Sequence, residues 1–260
     1  MKDVQNEEDA RGISINLVGI KNLMYPICVS VKPVGEQSTV AEVSMGVSLS
    51  ELQKGVHMSR FVEVLNEQGG VINSRKIPLI LEDLCKVQDS KHSEITMRFP
   101  YFMQRESPVS KKKSLFGITA TFEGIGNFHY NVFVVDNVIV LDVPVTSLCP
   151  CSKEISERGA HNQRGIISLS VSLMRNEFIW FEELVQYAEN AASCEIYPLL
   201  KRPDEKYVTE KAYDNPAFVE DILRDLSLQL EADKRIKSYS VEVTNHESIH
   251  THNAFSRRTK

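Results

Sequence analysis

The chain has 260 residues, 42% hydrophobic and 25% charged, with a formal net charge of −5. That length buries a large core, as one big domain or two fused modules. The mildly acidic balance argues against a nucleic-acid coat or an anionic membrane surface as the main partner, and no apolar run approaches the roughly 20 residues that span a bilayer. The opening segment Met1–Asp9 is acidic and polar and is not expected to act as a signal peptide.

Residues 1–12 are expected to be disordered. From Ile13, the alternation of Ile13, Ile15 and Leu17 with Ser14 and Asn16 marks a half-buried strand. Further strands are expected over Ile27–Val31 and Val40–Met45. Ser59 is placed as the cap of a helix carrying Phe61, Val64 and Leu65 and stopping at Gly69-Gly70. Pro78 opens a second helix with Ile80, Leu81 and Leu84. Strands return at Ile95–Phe99 and Leu115–Phe122, separated by the basic loop Lys111–Lys113, which reads as a solvated hairpin tip.

The second half repeats the order. Strands are expected over Phe128–Val135, Val138–Val143 and Ile167–Leu173, the last alternating with Ser168, Ser170 and Ser172. Trp180, Leu184 and Tyr187-Ala188 fall at helical spacing. Asn215-Pro216 reads as a cap and first-turn proline for a helix with Phe218, Ile222, Leu226 and Leu230 on one stripe. Tyr239, Val241 and Val243 give a strand, and a last one runs through His250–Phe255. Each half therefore reads β-β-α-α-β-β, with modules over residues 13–125 and 126–260. A faint echo, Lys54-Gly-Val-His-Met-Ser-Arg60 against Arg158-Gly-Ala-His-Asn-Gln-Arg164, agrees with a repeat.

Five cysteines, an odd number, do not make a disulfide framework. Cys28, Cys85 and Cys194 sit among apolar neighbours and read as small buried hydrophobes. Cys149 and Cys151 stand among polar and turn-forming residues, and a reducing cytoplasm, the expected location, would keep them as free thiols. Pro150 fixes φ and usually turns the path. Two thiolates one residue apart would crowd a single ion, so one is expected to bind metal and the other to stay free beside it. Thiolate and imidazole from His161 suit zinc or a similar divalent ion. An open site of three protein ligands plus water is the catalytic pattern. Lys153 and Arg164 nearby suit an anionic, phosphorylated substrate.

Two further clusters bear on chemistry. His246, His250 and His252 have even spacings and would share one face of a strand. They could serve as ligands or proton carriers, imidazole being the side chain that ordinarily titrates near neutrality. In the segment Lys201–Asp221, carboxylates could complete a metal shell or accept the two donors of a guanine edge. Glu220 lies off the centre of the Phe218–Leu230 stripe, as an interface flank or as solvated charge. Asp204, Glu205 and Glu210 are alternatives for a third ligand.

Taken together, Ser147-Leu-Cys-Pro-Cys-Ser-Lys-Glu-Ile-Ser156, Gly159-Ala-His-Asn-Gln-Arg164, Lys201-Arg-Pro-Asp-Glu205, Ala212-Tyr-Asp-Asn-Pro216 and Asn245-His-Glu-Ser-Ile-His-Thr-His-Asn253 closely resemble the prokaryotic type IB GTP cyclohydrolases. The resemblance covers the chain from about Ile13 to the C-terminus. It implies an α+β tunnelling fold of two fused ββααββ-like modules, with antiparallel sheets and helices packed on one face. It implies a homotetramer with active sites at subunit interfaces, and conversion of GTP and water to 7,8-dihydroneopterin triphosphate and formate, for folate and 7-deazaguanine synthesis. By the same resemblance Cys149, His161 and Glu205 would hold a zinc or manganese ion, with iron a further option. Cys151 would be the catalytic thiol, Glu220 the guanine anchor, and His250 and His252 the proton-transfer groups. A nitrile reductase of the same fold is the rival reading; it would need nicotinamide and no metal.

Overall fold

The computed structural model describes residues 5, 7–32, 35–68, 70–130 and 132–260, with ten strands and six α-helices among them. Gly69, part of the expected helix stop, and residues 1–4 and 6 of the expected disordered segment lie outside the described residues. The chain forms two compact units, Met1–Pro100 with Thr121–Ile139, and Tyr101–Ala120 with Val140–Lys260. No helix is long and apolar enough to cross a membrane.

In the first unit, β1 (Ile15–Ser30) and β2 (Glu36–Leu49) pair antiparallel. Helix α1 (Met58–Glu67) and β3 (Val71–Ile72) follow, β3 lying parallel to β1. Then come α2 (Ile77–Gln88) and β4 (His92–Glu106), whose first part pairs with β2. β1 is one strand where two were expected, because its register with β2 shifts between Ile20 and Leu23 and Asn22 takes a left-handed φ of 58°. Asparagine is among the few side chains that tolerate this conformation, and the bulge interrupts the apolar alternation without ending the strand. Ile77, Ile80, Leu81 and Leu84 of α2 are fully buried, a spacing that turns one helix face inward. Each such side chain contributes roughly 1.5–3 kcal/mol of burial. α1 begins at Met58 with His57 at its cap position, so Ser59 lies inside the helix rather than capping it. The described part of the expected disordered segment is hydrogen-bonded: the Asp9 amide donates to the Leu52 carbonyl and the Lys54 amide to that of Glu7.

β5 (Lys113–His129) and β6 (Val132–Leu148) follow β4. The expected module cut between residues 125 and 126 falls inside β5. The observed unit boundaries also fall within strands: Pro100/Tyr101 in β4, Ala120/Thr121 in β5 and Ile139/Val140 in β6. β6 is continuous where two strands were expected; its polar Asp136-Asn137 pair makes no turn, and the Asn137 amide donates to the Ser74 carbonyl.

The second unit continues with α3 (Pro150–Ile155), β7 (Asn162–Leu173), α4 (Phe181–Ala191), β8 (Cys194–Glu195), α5 (Arg202–Asp214), α6 (Val219–Ala232), β9 (Ile236–Asn245) and β10 (Ala254–Thr259). β9 lies between β7 and β10, antiparallel to both. Ile167, Leu169 and Val171 are fully buried and their serine neighbours half-exposed, as the alternation required. Three expectations fail here. Asn215 ends α5, and α6 starts at Val219 after Phe218, so Asn215-Pro216 is a link and not a start. Residues 246–253 form an irregular loop, and the last strand begins only at Ala254, where the apolar and aromatic side chains resume. The repeat echo is not structural: His57 precedes a helix, whereas His161 precedes a strand.

Helix α5 was not foreseen because it has almost no apolar face; only Asp204 and Ala212 are buried along it. Ala212 and Val208 pack on a small cluster with Leu148 and Cys194, and the rest of its anchorage is polar. The fully buried Asp204 carboxylate accepts the Val109 and Ser110 amides at 2.8 Å, the Ser110 hydroxyl at 2.6 Å and the Lys201 amide at 2.8 Å. Burial alone would raise this carboxyl, but the bonds from Ser110, Lys201 and Val109 outweigh it and hold the group well below the usual carboxylate range. Its contribution to stability is therefore present above the unfolded aspartate value near 3.9 and is lost as pH falls further towards the depressed folded value. Asp204→Asn is expected to lower the melting temperature by about 4–8 °C at neutral pH. Part of the wild-type acid sensitivity below about pH 4 should vanish with it, as calorimetry across pH will show.

Candidate functional site

The site is built where β6 ends. After Leu148, Cys149 stays extended (φ −71°, ψ 117°) and Pro150 opens α3, its fixed φ suiting a first helical position. The Cys149 Sγ accepts the Ser152 amide at 3.4 Å, and the Ser152 hydroxyl donates to the Cys149 carbonyl at 3.1 Å. The expected turn at Pro150 is thus the start of a six-residue helix. Cys149 stands half-buried at its cap, with Cys151 exposed in its first turn.

His161 is brought back to the same place. The Cys149 amide donates to the His161 carbonyl at 3.1 Å, and the His161 amide donates to the Ser152 hydroxyl at 3.2 Å. The His161 Nδ1 lies 2.9 Å from the Gln163 amide oxygen. An amide oxygen only accepts, so Nδ1 carries the proton and Nε2 keeps its lone pair for a cation. Ser248 Oγ, 3.4 Å from the same Nδ1, brings the 246–253 loop to this edge of the unit. Within that loop the exposed His250 and His252 rings stack, 5.1 Å apart and 18° from parallel. They meet through a bend and not through a shared strand face.

The carboxylates separate by environment. Asp204 is committed to its four hydrogen bonds, and Glu210 is held by the Lys206 ammonium at 2.5 Å, whereas Glu205 is exposed in the first turn of α5. Glu220 is exposed in the first turn of α6. The Lys153 ammonium donates to the Tyr213 carbonyl at 2.5 Å and lies 4.3 Å from that ring's centre, joining α3 to α5 with one of its three donors. Arg164 is exposed and borders a cleft of about 390 Å³ whose wall includes Gln163, Glu195 and Tyr197. A second cleft of about 480 Å³ lies against Leu148, Gly159 and Tyr213.

Among the described residues, no three His, Cys, Asp or Glu side chains are grouped closely enough to hold a metal ion. The pair Cys149 and His161 nevertheless fits a borderline divalent cation: one soft and one imidazole donor on adjacent backbone, the imidazole already turned by Gln163. The other thiols do not compete. Burial pushes the Cys194 thiol up to about 12, with Glu195 adding to the effect, and burial also raises Cys85. Cys28 is only half-buried, against expectation, and its thiol donates to Glu36 at 3.5 Å.

Sequence reading missed Gln163, Ser152 and Ser248. Gln163 had a signal, since residues two apart on an extended segment share a face, but a glutamine carries no chemistry of its own to attract notice. Ser152 and Ser248 had none.

In fold, the chain is similar to the urate oxidase of Bacillus sp. TB-90 (TM-score 0.59, 10% identity, 95% of this chain and 99% of that one). It is also similar to the uricase of Arthrobacter globiformis (TM-score 0.50, 8% identity, 94% and 92%). At the level of sequence, a protein of Thermotoga maritima described as GTP cyclohydrolase FolE2 is 50% identical over 258 residues, covering 98% of this chain and 96% of its own. One of Magnetococcus marinus with the same description is 46% identical, covering 98% and 94%. The model of the type I GTP cyclohydrolase FolE2 family matches residues 1–256. The broader resemblance read from the motifs narrows accordingly: this chain belongs to the type I GTP cyclohydrolase FolE2 family.

Proposed function

We propose that the protein is a metal-dependent GTP cyclohydrolase, converting GTP and water to 7,8-dihydroneopterin triphosphate and formate at the entry to folate and pterin synthesis. The observation that carries this reading is the closure of Cys149 on His161, with the imidazole turned by Gln163 and the exposed Cys151 thiol in the adjoining helical turn. Cys149 and His161 would hold zinc, manganese or iron, and Glu205, which the structure does not group with them, is the carboxylate that would have to join the set. Such a cation, when bound, lowers the pKa of water to near neutrality.

The protein's own groups do the rest. Glu220 accepts the N1–H and exocyclic amine of guanine, a bidentate match that fixes the purine's orientation. A histidine of the stacked His250/His252 pair gives a proton to N7, making C8 electrophilic towards water. Opening of the imidazole ring and a second hydrolysis release C8 as formate. Ribose opening, rearrangement and pterin closure then need several proton transfers, which His250, His252 and Cys151 share. Arg164, exposed at its cleft, and Lys153, whose ammonium keeps two donors beyond its bond to Tyr213, are the cations for the triphosphate. A homotetramer with its sites at subunit interfaces follows the same reading.

Incubation with GTP and Zn²⁺ or Mn²⁺ should release formate and, after oxidation, a fluorescent pterin. A chelator should abolish both and added metal restore them; metal-replete protein that leaves GTP intact would end the reading. Cys149→Ser and His161→Ala should lose bound metal together with formate release. Cys151→Ala should keep its metal content yet lose turnover by about 10²-fold or more, and full turnover would remove that thiol from the mechanism. The double variant of His250→Ala with His252→Ala is expected to keep its metal content yet lose formate release and pterin fluorescence together, because N7 then has no proton donor.

A further inference from the structure

Three segments of the second unit carry the proposed chemistry: the end of β6 leading to Cys149, the link from α5 to α6 leading to Glu220, and the end of β9 leading to the histidine loop. Two buried side chains in series, Asn245 and Ser147, connect all three. Asn245, the last residue of β9, is 3% exposed, and its amide nitrogen donates to the Ser147 hydroxyl at 2.8 Å, a residue that is itself fully buried. The Ser147 hydroxyl in turn donates to the Ala217 carbonyl at 3.1 Å, and the Ala217 amide donates to the Leu148 carbonyl at 3.0 Å. A hydroxyl has one proton. Because Ser147 gives it to Ala217, Asn245 has to present its NH₂ to Ser147, and the direction of the relay is fixed.

The relay acts on the link into α6, whose two ends are also held, by the Asn215 amide on the Lys211 carbonyl, by the Phe218 amide on the Asp221 carboxylate and by the Ser256 hydroxyl on the Val219 carbonyl. Between them, among the described residues, only the relay and the Ala217 amide tie it to the end of β6. Residues 215–218 are neither helix nor strand, and Phe218, at the cap position of α6, is exposed. Two residues beyond it stands Glu220. Space for the amide comes from Gly165, the β7 residue opposite Asn245 in the sheet. A Cβ there would meet the Asn245 Oδ1 at 2.7 Å, closer than packing allows.

We propose that Asn245 is a positioning residue for substrate: its amide, acting through the Ser147 hydroxyl on the Ala217 carbonyl, fixes the entry to α6 and so sets the Glu220 carboxylate against the end of β6. This rests on the reading of Glu220 as the guanine anchor. Asn245 itself touches no reacting group, so its loss should appear in GTP binding before it appears in the chemical step.

A double-mutant cycle on the metal-replete enzyme tests this, with KM and kcat for GTP measured for Asn245→Ala, Glu220→Gln and the pair. Asn245→Ala is expected to raise KM by about 5- to 30-fold with kcat changed far less. In the Glu220→Gln background the same change should alter KM by less than about twofold, since the group it positions is already disabled. Equal factors in the two backgrounds would overturn the proposal and leave the Glu220 reading intact. Glu220→Gln with an unaltered KM would remove the anchor reading and the proposal together. Should Asn245→Ala fail to fold, Ser147→Ala and Gly165→Ala run through the same cycle. Gly165→Ala displaces the amide without deleting any hydrogen-bonding group, and both should reproduce the selective rise in KM.

Discussion

The hydrogen bond from the Cys149 amide to the His161 carbonyl is the constraint on which the site depends. It closes the stretch between the two residues into a loop whose ends carry a thiol and an imidazole, and Ser152 locks that closure from both sides. Pro150 makes the closure inexpensive, because its ring has already removed one backbone freedom where the helix begins. The same few residues then leave Cys151 on the exposed side of the first turn. Two thiols two positions apart are given different settings by local backbone geometry, Cys149 half-buried at the helix cap and Cys151 exposed.

Around this loop, polar fastenings supplement a small apolar cluster of Leu148, Cys194 and Ala212 with Ala160 and Val208 packed against it. Asp204 anchors α5 through backbone amides on the 107–112 turn and at its own start, and Lys153 joins α3 to α5 through a carbonyl and a ring of Tyr213. Such contacts are directional, so they fix orientation more sharply than burial does. They also explain why a helix with so little apolar surface is present beside the site.

Strands with a regular apolar alternation were legible from the residues: β7 and β9 stand where Ile167–Leu173 and Tyr239–Val243 placed them. Helices with an apolar stripe, α1, α2, α4 and α6, were legible too, though capping at Ser59 and Asn215 was misjudged because neighbouring tertiary contacts set the ends. What failed had a physical cause in each instance. α5 has no stripe to detect; β1 contains a bulge; residues 246–253 have the even spacing of a strand but no apolar partner to make one. Of the site, the motifs named Cys149, Cys151 and His161, and the structure brings these together. They could not show that Lys153 bonds Tyr213, nor that Gln163 turns the imidazole, because both facts depend on where separate stretches of backbone meet.

The placement of the unit boundaries inside β4, β5 and β6 carries a practical consequence. Neither unit is one uninterrupted stretch of polypeptide, so no single scission yields either of them whole. Dissection by truncation would leave a severed strand with bare amides and carbonyls at every choice of cut. Fragments made that way would report on frayed ends and not on autonomous folding, and a rearrangement of chain order would be needed to obtain either unit by itself.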